Sequence, residues 1–231
     1  MFSIANILTA LNLFCGSIAI VFVLHGNAKM AFILILLSLL FDFADGFVAR
    51  ALKQESELGI QLDSLADVVS FGVLPSVMMY SLINTTIPES FLVLIYLPFL
   101  LAVMSAFRLA RFNIETDGSI KNFQGLPVPA MALAVTGFYM GFNFNSDFYN
   151  FIYNPYILLA ISVLLSILMI SRIPILKITP NKNFFQSHII LFILVIVCLI
   201  MIFMGNYIFL SVLILLHIIY SFFKLNTSTK K

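Results

Sequence analysis

The chain has 231 residues, of which 62% are hydrophobic and 10% charged, with a net charge of +2 and a mean hydropathy of +1.11. A water-soluble domain is about 45–50% apolar and about 25% charged, so this composition excludes a mainly aqueous surface and points to lipid as the main solvent. The absence of a basic block excludes nucleic acid as an expected partner.

The first apolar run, from about Ile4 to Leu24, lacks the basic leader of a cleavable signal and reads as a membrane-spanning helix. Seven more candidates follow at roughly 29–50, 58–82, 91–112, 128–143, 155–172, 187–204 and 207–223. The fold expected is therefore an all-α polytopic transmembrane bundle of about eight spans. His25-Gly26-Asn27 and Gly205-Asn206 supply turns between spans. With the N-terminus inside, every Lys and Arg except Lys29 falls at a cytoplasmic helix end or loop, so the positive-inside rule selects N-in and C-in. One integral membrane domain is expected over 1–231. It comprises a six-helix core over 1–172, then two additional helices and a short tail over 173–231. Cys15 and Cys198 sit in apolar runs and read as small buried hydrophobes. Pro75 is expected to kink the third helix.

Four aspartates lie in the second and third spans. Insertion of a central Asp costs about 2.5–3.5 kcal/mol even on a lenient scale, so such residues are functional candidates. Asp42, Asp45, Gly46 and Ala49 share one helical face, as do Gly59, Asp63, Asp67 and Ser70. The short connection between these helices lets the two acidic stripes face each other. Converging carboxylates repel unless cations neutralise them. Such hard oxygen donors suit Mg²⁺, Mn²⁺ or Ca²⁺ rather than zinc, with room for two ions. Gly46, Ala49 and Gly59 read either as close helix packing or as space for a flat ligand. Arg50 reads either as an interfacial anchor or as a phosphate clamp.

The segment Asp42-x2-Asp45-Gly46-x2-Ala49-Arg50-x8-Gly59-x3-Asp63-x3-Asp67 resembles the signature of the CDP-alcohol phosphotransferase family at every fixed position. The resemblance implies displacement of CMP from a CDP-activated lipid by an alcohol, in a metal-dependent helical bundle that is often dimeric. It further implies that Asp42, Asp45, Asp63 and Asp67 hold metal. Asp67 would also be the general base, and Gly46, Ala49 and Gly59 would make room for the cytidine. The segments Asn6–Gly16, Val68–Pro75, Ser105–Asn113 and Phe123–Ala130 are similar to the phosphatidylserine synthase branch. That branch implies CDP-diacylglycerol, or its ether-lipid equivalent, and L-serine as substrates, at the cytoplasmic face of a prokaryotic plasma membrane.

A zwitterionic acceptor needs a cation for its carboxylate. Arg108 and Arg111, one helical turn apart, are the candidates, one for the serine carboxylate and the other for a lipid phosphate, with Asn113 and Ser70 as hydrogen-bonding groups; the alternative reading of both arginines is as snorkelling anchors. Two other readings stay open. One is the same chemistry with glycerol 3-phosphate or an inositol phosphate as acceptor. The other is a membrane cation transporter, which predicts an acidic path across the whole bilayer.

Overall fold

A computed structural model describes residues 3–85, 87–115, 123–142, 153–171, 174–175 and 205–217. Helix α1 (Ile4–Leu24) starts at Ser3, whose side chain accepts from the Asn6 amide at 3.1 Å and so satisfies one orphan N–H of the first turn. Its inward face carries small and polar residues, Ala5, Thr9, Asn12, Gly16 and Ala19, while Ile7, Leu11, Phe14 and Val21 point outward. This inverts the soluble pattern, as lipid contact requires: outward side chains meet hydrocarbon, and small inward ones let backbones approach.

Gly26, at φ +71°, turns the chain, and Asn27 caps α2 (Ala28–Ala51) by accepting from the Met30 amide. The α1–α2 hairpin is the most extensive helix pair of the fold. Ser56 caps α3 (Glu57–Asn84) by accepting from the Gly59 amide at 3.1 Å. Helix α3 is the most buried of the long helices and forms the axis of the bundle.

Within α3 the expected kink at Pro75 takes a particular form. The helix is regular to Asp67, widens into a π-turn over Val68–Val73 and resumes its α-pitch at Leu74. Proline has no N–H to donate and its ring crowds the carbonyl four residues back. A wide turn before it absorbs both defects. Ser76 donates to the Gly72 carbonyl at 2.8 Å and accepts from the Ala102 amide at 3.1 Å, tying this part of α3 to the fourth crossing.

The fourth crossing begins as a 3₁₀ segment, Glu89–Phe99, and continues as α4 (Leu100–Glu115), with Val93–Ile114 long and apolar enough to span. Pro98 lies at the change of pitch. Three shorter apolar helices follow: α5 (Val128–Gly141), α6 (Pro155–Ile170) and α7 (Ile208–His217). Helix α7 is clasped to α5 by the Ser211 hydroxyl, which donates to the Ala134 carbonyl, at a place where Gly137 lets the backbones meet.

The described residues are thus mainly helical, and among them four helices are long and apolar enough to cross a membrane. The helical fold matches the expectation, with one short β-pair beside the helices. Phe123–Gln124 and Pro174–Ile175 form a two-residue antiparallel β-pair, which ties the α4–α5 connection to the chain after α6. Gly125, at φ +74°, sits against the Met169 and Ser171 carbonyls beside that pair, where no side chain fits. The span expected over 187–204 and Cys198 lie outside the described residues. Cys15 is a buried free thiol.

Candidate functional site

Helix α1 packs along both α2 and α3, whereas the backbones of α2 and α3 scarcely approach each other. The two acidic helices meet through their side chains instead. Carboxylate oxygens of Asp42, Asp63 and Asp67 all lie within 4.8 Å of one another. Asp67 is buried, Asp42 and Asp63 are half-buried, and one oxygen of Asp63 is buried without a hydrogen-bond partner.

Asp45 is buried one turn further along α2 and stands outside that group of three. Its Oδ2 accepts from the Thr9 hydroxyl. The fourth aspartate is therefore held by α1.

A cleft of about 630 Å³ adjoins the acidic group at the end of the bundle where the exposed 52–57 connection crosses. Helix α1 contributes Ala5, Asn6 and Thr9 to its wall, and α2 contributes Asp45, Gly46, Ala49 and Arg50. The connection adds Gln54, Glu55 and Ser56, and α3 adds Gly59, Ile60 and Asp63. The volume falls in the range of small-ligand sites, about 300–1,000 Å³. Gly46, Ala49 and Gly59, expected to make room for the cytidine, and Arg50, the candidate phosphate clamp, all line it.

The glycines separate into two kinds. A Cβ on Gly46 would meet Arg50 Nη1 at 3.4 Å, and one on Gly59 would meet Ser56 Oγ at 3.1 Å and Asn6 Oδ1 at 3.2 Å. These neighbours are side chains at the cleft, so Gly46 and Gly59 keep its floor low. A Cβ on Gly16 would instead come within 2.7 Å of the Ser70 Cα, which makes Gly16 a true helix-packing position.

The candidates for the acceptor are less gathered. Ser70 is fully buried in the π-turn and donates to the Asn12 carbonyl at 3.1 Å, away from the cleft wall. Asn113 donates to Ser64 Oγ at 2.9 Å, which docks the end of α4 beside the acidic stripe of α3. Arg108 is half-buried with a buried Nε that has no partner, and Arg111 is half-buried one turn later. The structure adds the polar face of α1 to the site. Asn6, Thr9 and Asn12 recur every third residue in a mostly apolar helix, a spacing visible in the sequence. Asn12 donates from Nδ2 to Asp67 Oδ1 at 3.3 Å.

The donor set fits a divalent cation. Hard cations hold oxygen ligands at about 2.0–2.6 Å, so oxygens that share one ion lie no more than about 4–5 Å apart, a limit that oxygens of Asp42, Asp63 and Asp67 meet. Fold and site together define a class: a polytopic membrane protein with an acidic cation-type site beside a polar cleft at one end of the bundle. The chain belongs to the CDP-alcohol phosphatidyltransferase family, whose model matches residues 2–223. It is 38% identical over 183 residues to a CDP-diacylglycerol–serine O-phosphatidyltransferase of Methanocaldococcus jannaschii, covering 79% of this chain and 77% of that protein. It is 34% identical over 218 residues to the enzyme of that name from Helicobacter pylori strain 26695, covering 93% and 87%. It is 35% identical over 165 residues to an archaetidylserine synthase of Methanothermobacter thermautotrophicus, covering 71% and 66%.

Proposed function

We propose that this protein transfers the phosphatidyl group of CDP-diacylglycerol, or its ether-lipid counterpart, to the hydroxyl of L-serine, releasing CMP. The observation that carries the reading is the carboxylate group of Asp42, Asp63 and Asp67 against a cleft walled by Gly46, Ala49, Arg50 and Gly59. The names of the relatives supply serine as acceptor.

Asp42, Asp45, Asp63 and Asp67 would hold one or two Mg²⁺ or Mn²⁺ ions. When bound, these neutralise the pyrophosphate and stabilise the CMP leaving group. The protein's own part is to place groups. Gly46, Ala49 and Gly59 admit the nucleotide, and Arg50 at the cleft edge adds positive charge beside the phosphates. A serine hydroxyl is a weak nucleophile near neutral pH; Asp67 removes its proton as the oxygen attacks the lipid-side phosphorus in line with CMP departure. Arg108 and Arg111 hold the serine carboxylate, with Asn113 fixing the end of α4 through Ser64. Ser70 supports this end of the site from the helix core.

The N-in and C-in arrangement of eight spans puts the cleft on the cytoplasmic side of a prokaryotic plasma membrane, in keeping with Arg50 and Lys53 at that end. The catalytic core is residues 1–172, and 173–231 adds two further helices and a short tail. The functional unit is a homodimer, as the family resemblance implies.

The test is CMP release by the purified full-length protein with CDP-diacylglycerol or CDP-archaeol, Mg²⁺ or Mn²⁺, and L-serine, beside Asp67→Asn. Release that needs serine and metal and disappears in Asp67→Asn supports the reading. Release with glycerol 3-phosphate or an inositol phosphate but not with serine would keep the chemistry and reject the acceptor.

A further inference from the structure

Asn12 sits where three helices meet, and it is fully buried. Its backbone carbonyl accepts from two hydroxyls, Ser38 of α2 and Ser70 of the α3 π-turn, each at 3.1 Å. Its side-chain amide does something different. Nδ2 donates to Asp67 Oδ1 at 3.3 Å, while Oδ1 is buried with no partner.

These two roles separate cleanly. Packing of the three helices rests on the carbonyl, which every residue type provides. An amide whose acceptor is left unpaired in the interior is costly, because it has lost water and gained nothing in return. Leucine has a similar size and would fill the same space without that cost. Helix packing therefore gives no reason for asparagine here: the amide serves the buried Asp67 carboxylate while its own acceptor stays unpaired, and residues that sacrifice stability are characteristic of working sites. Among the described residues, the one interaction that the amide adds is with Asp67.

We infer that Asn12 is a positioning residue for Asp67: its amide N–H holds Oδ1, fixes the carboxylate plane and leaves Oδ2 as the oxygen that works on the acceptor alcohol. The inference rests on the proposed role of Asp67 as base. Its geometric basis is general. Carboxylates at metal and catalytic sites are oriented by hydrogen bonds from behind, and loss of such a partner typically reduces activity or metal affinity about 10–100-fold. The π-turn begins at the residue after Asp67, so Asn12 grips α3 on both sides of the place where its pitch changes.

The experiment compares wild type, Asn12→Leu, Asn12→Gln and Ser38→Ala as purified full-length proteins. It measures steady-state CMP release, thermal unfolding, and Mn²⁺ binding followed by the electron paramagnetic resonance of the free ion. Asn12→Leu removes an unpaired acceptor but also strips buried Asp67 of a donor, so its unfolding temperature should change little; it should lose about 10–100-fold in kcat, hold KM for serine nearly constant and bind Mn²⁺ more weakly. Asn12→Gln, which retains a donor on a longer arm, should recover part of kcat. Ser38→Ala should show the opposite profile, a lower unfolding temperature with kcat retained. An Asn12→Leu protein that is folded with unchanged kcat and Mn²⁺ affinity would overturn the inference, as would a loss of kcat only in proportion to a loss of folded protein. Failure of the serine reading is recognisable separately, as wild type that releases no CMP with serine. In that event Mn²⁺ binding alone decides: weakened in Asn12→Leu it supports the positioning role, and unchanged it refutes it.

Discussion

The Thr9 hydroxyl of α1 donates to Asp45 Oδ2 of α2, and both groups are buried. The bond links a helix without a single acidic residue to the acidic stripe of its neighbour. Thr9→Val removes the hydroxyl and keeps the shape. It leaves a buried carboxylate short of a partner, which costs about 1–3 kcal/mol. Expected are a lower unfolding temperature and a reduced kcat/KM for the CDP-lipid, with Thr9→Ser restoring both. Unchanged melting and kinetics in Thr9→Val would show that Asp45 does not depend on α1.

How much of this site was legible in the sequence follows from where its partners lie. Asp42, Asp45, Asp63 and Asp67 announce themselves, because acidic residues in apolar spans are rare and their helical spacing puts them on two faces. The cleft residues Gly46, Ala49, Arg50 and Gly59 follow from the same spacing, and all four line one cavity. The contribution of α1 was hidden for a physical reason. Its hydrogen bonds join Thr9 to Asp45 and Asn12 to Asp67 across 36 and 55 residues, and a local pattern of side chains carries no record of such distances. Pro75 marked the irregularity in α3 but not its form, since a π-turn and a simple kink relieve the same steric conflict. Ser70 read as a group of the active face because it continues the stripe of Asp63 and Asp67. The wide turn after Asp67 changes the pitch, and Ser70 bonds the Asn12 carbonyl instead.

The two kinds of glycine give opposite expectations for the same substitution. Gly16→Ala places a methyl group against the Ser70 backbone. Helix separation or strain follows, typically costing about 1–3 kcal/mol for overpacking, and is read as a lower unfolding temperature. Gly59→Ala meets only the ends of Ser56 and Asn6, which give way by tenths of an ångström. It should fold normally and raise KM for the CDP-lipid, and Gly59→Leu should raise it further. If Gly59→Ala unfolds the protein while binding is untouched, the cleft assignment is wrong.

Divalent cation should bind the folded protein and not the unfolded chain. Mn²⁺ or Mg²⁺ at 100 times its dissociation constant would then stabilise by about 2.7 kcal/mol, visible as a rise in unfolding temperature that EDTA reverses. Asp63→Asn and Asp42→Asn should each reduce that rise, because both contribute to the group whose oxygens lie within 4.8 Å. Asp67→Asn should lose turnover by about 10²–10⁴-fold, the span of general-base catalysis. A cation-dependent rise that survives all three substitutions would locate the metal elsewhere.

Arg108 and Arg111 are separable by kinetics. A guanidinium that binds the serine carboxylate makes a forked pair of hydrogen bonds that an ammonium cannot reproduce, so even lysine at that position should raise KM for serine and leave KM for the CDP-lipid alone. Arg108 is the more informative of the two, because its Nε is buried and has no partner. An anchor that only snorkels to the interface would tolerate lysine, since length and charge are kept. Arg108→Lys and Arg111→Lys should therefore be measured against serine and against CDP-lipid in turn. A raised KM for serine in one of them identifies the carboxylate ligand. A raised KM for the CDP-lipid instead assigns that arginine to the phosphates. Wild-type values for both substrates in both variants would return the pair to the role of interfacial anchors and leave the acceptor's carboxylate to be held by other groups.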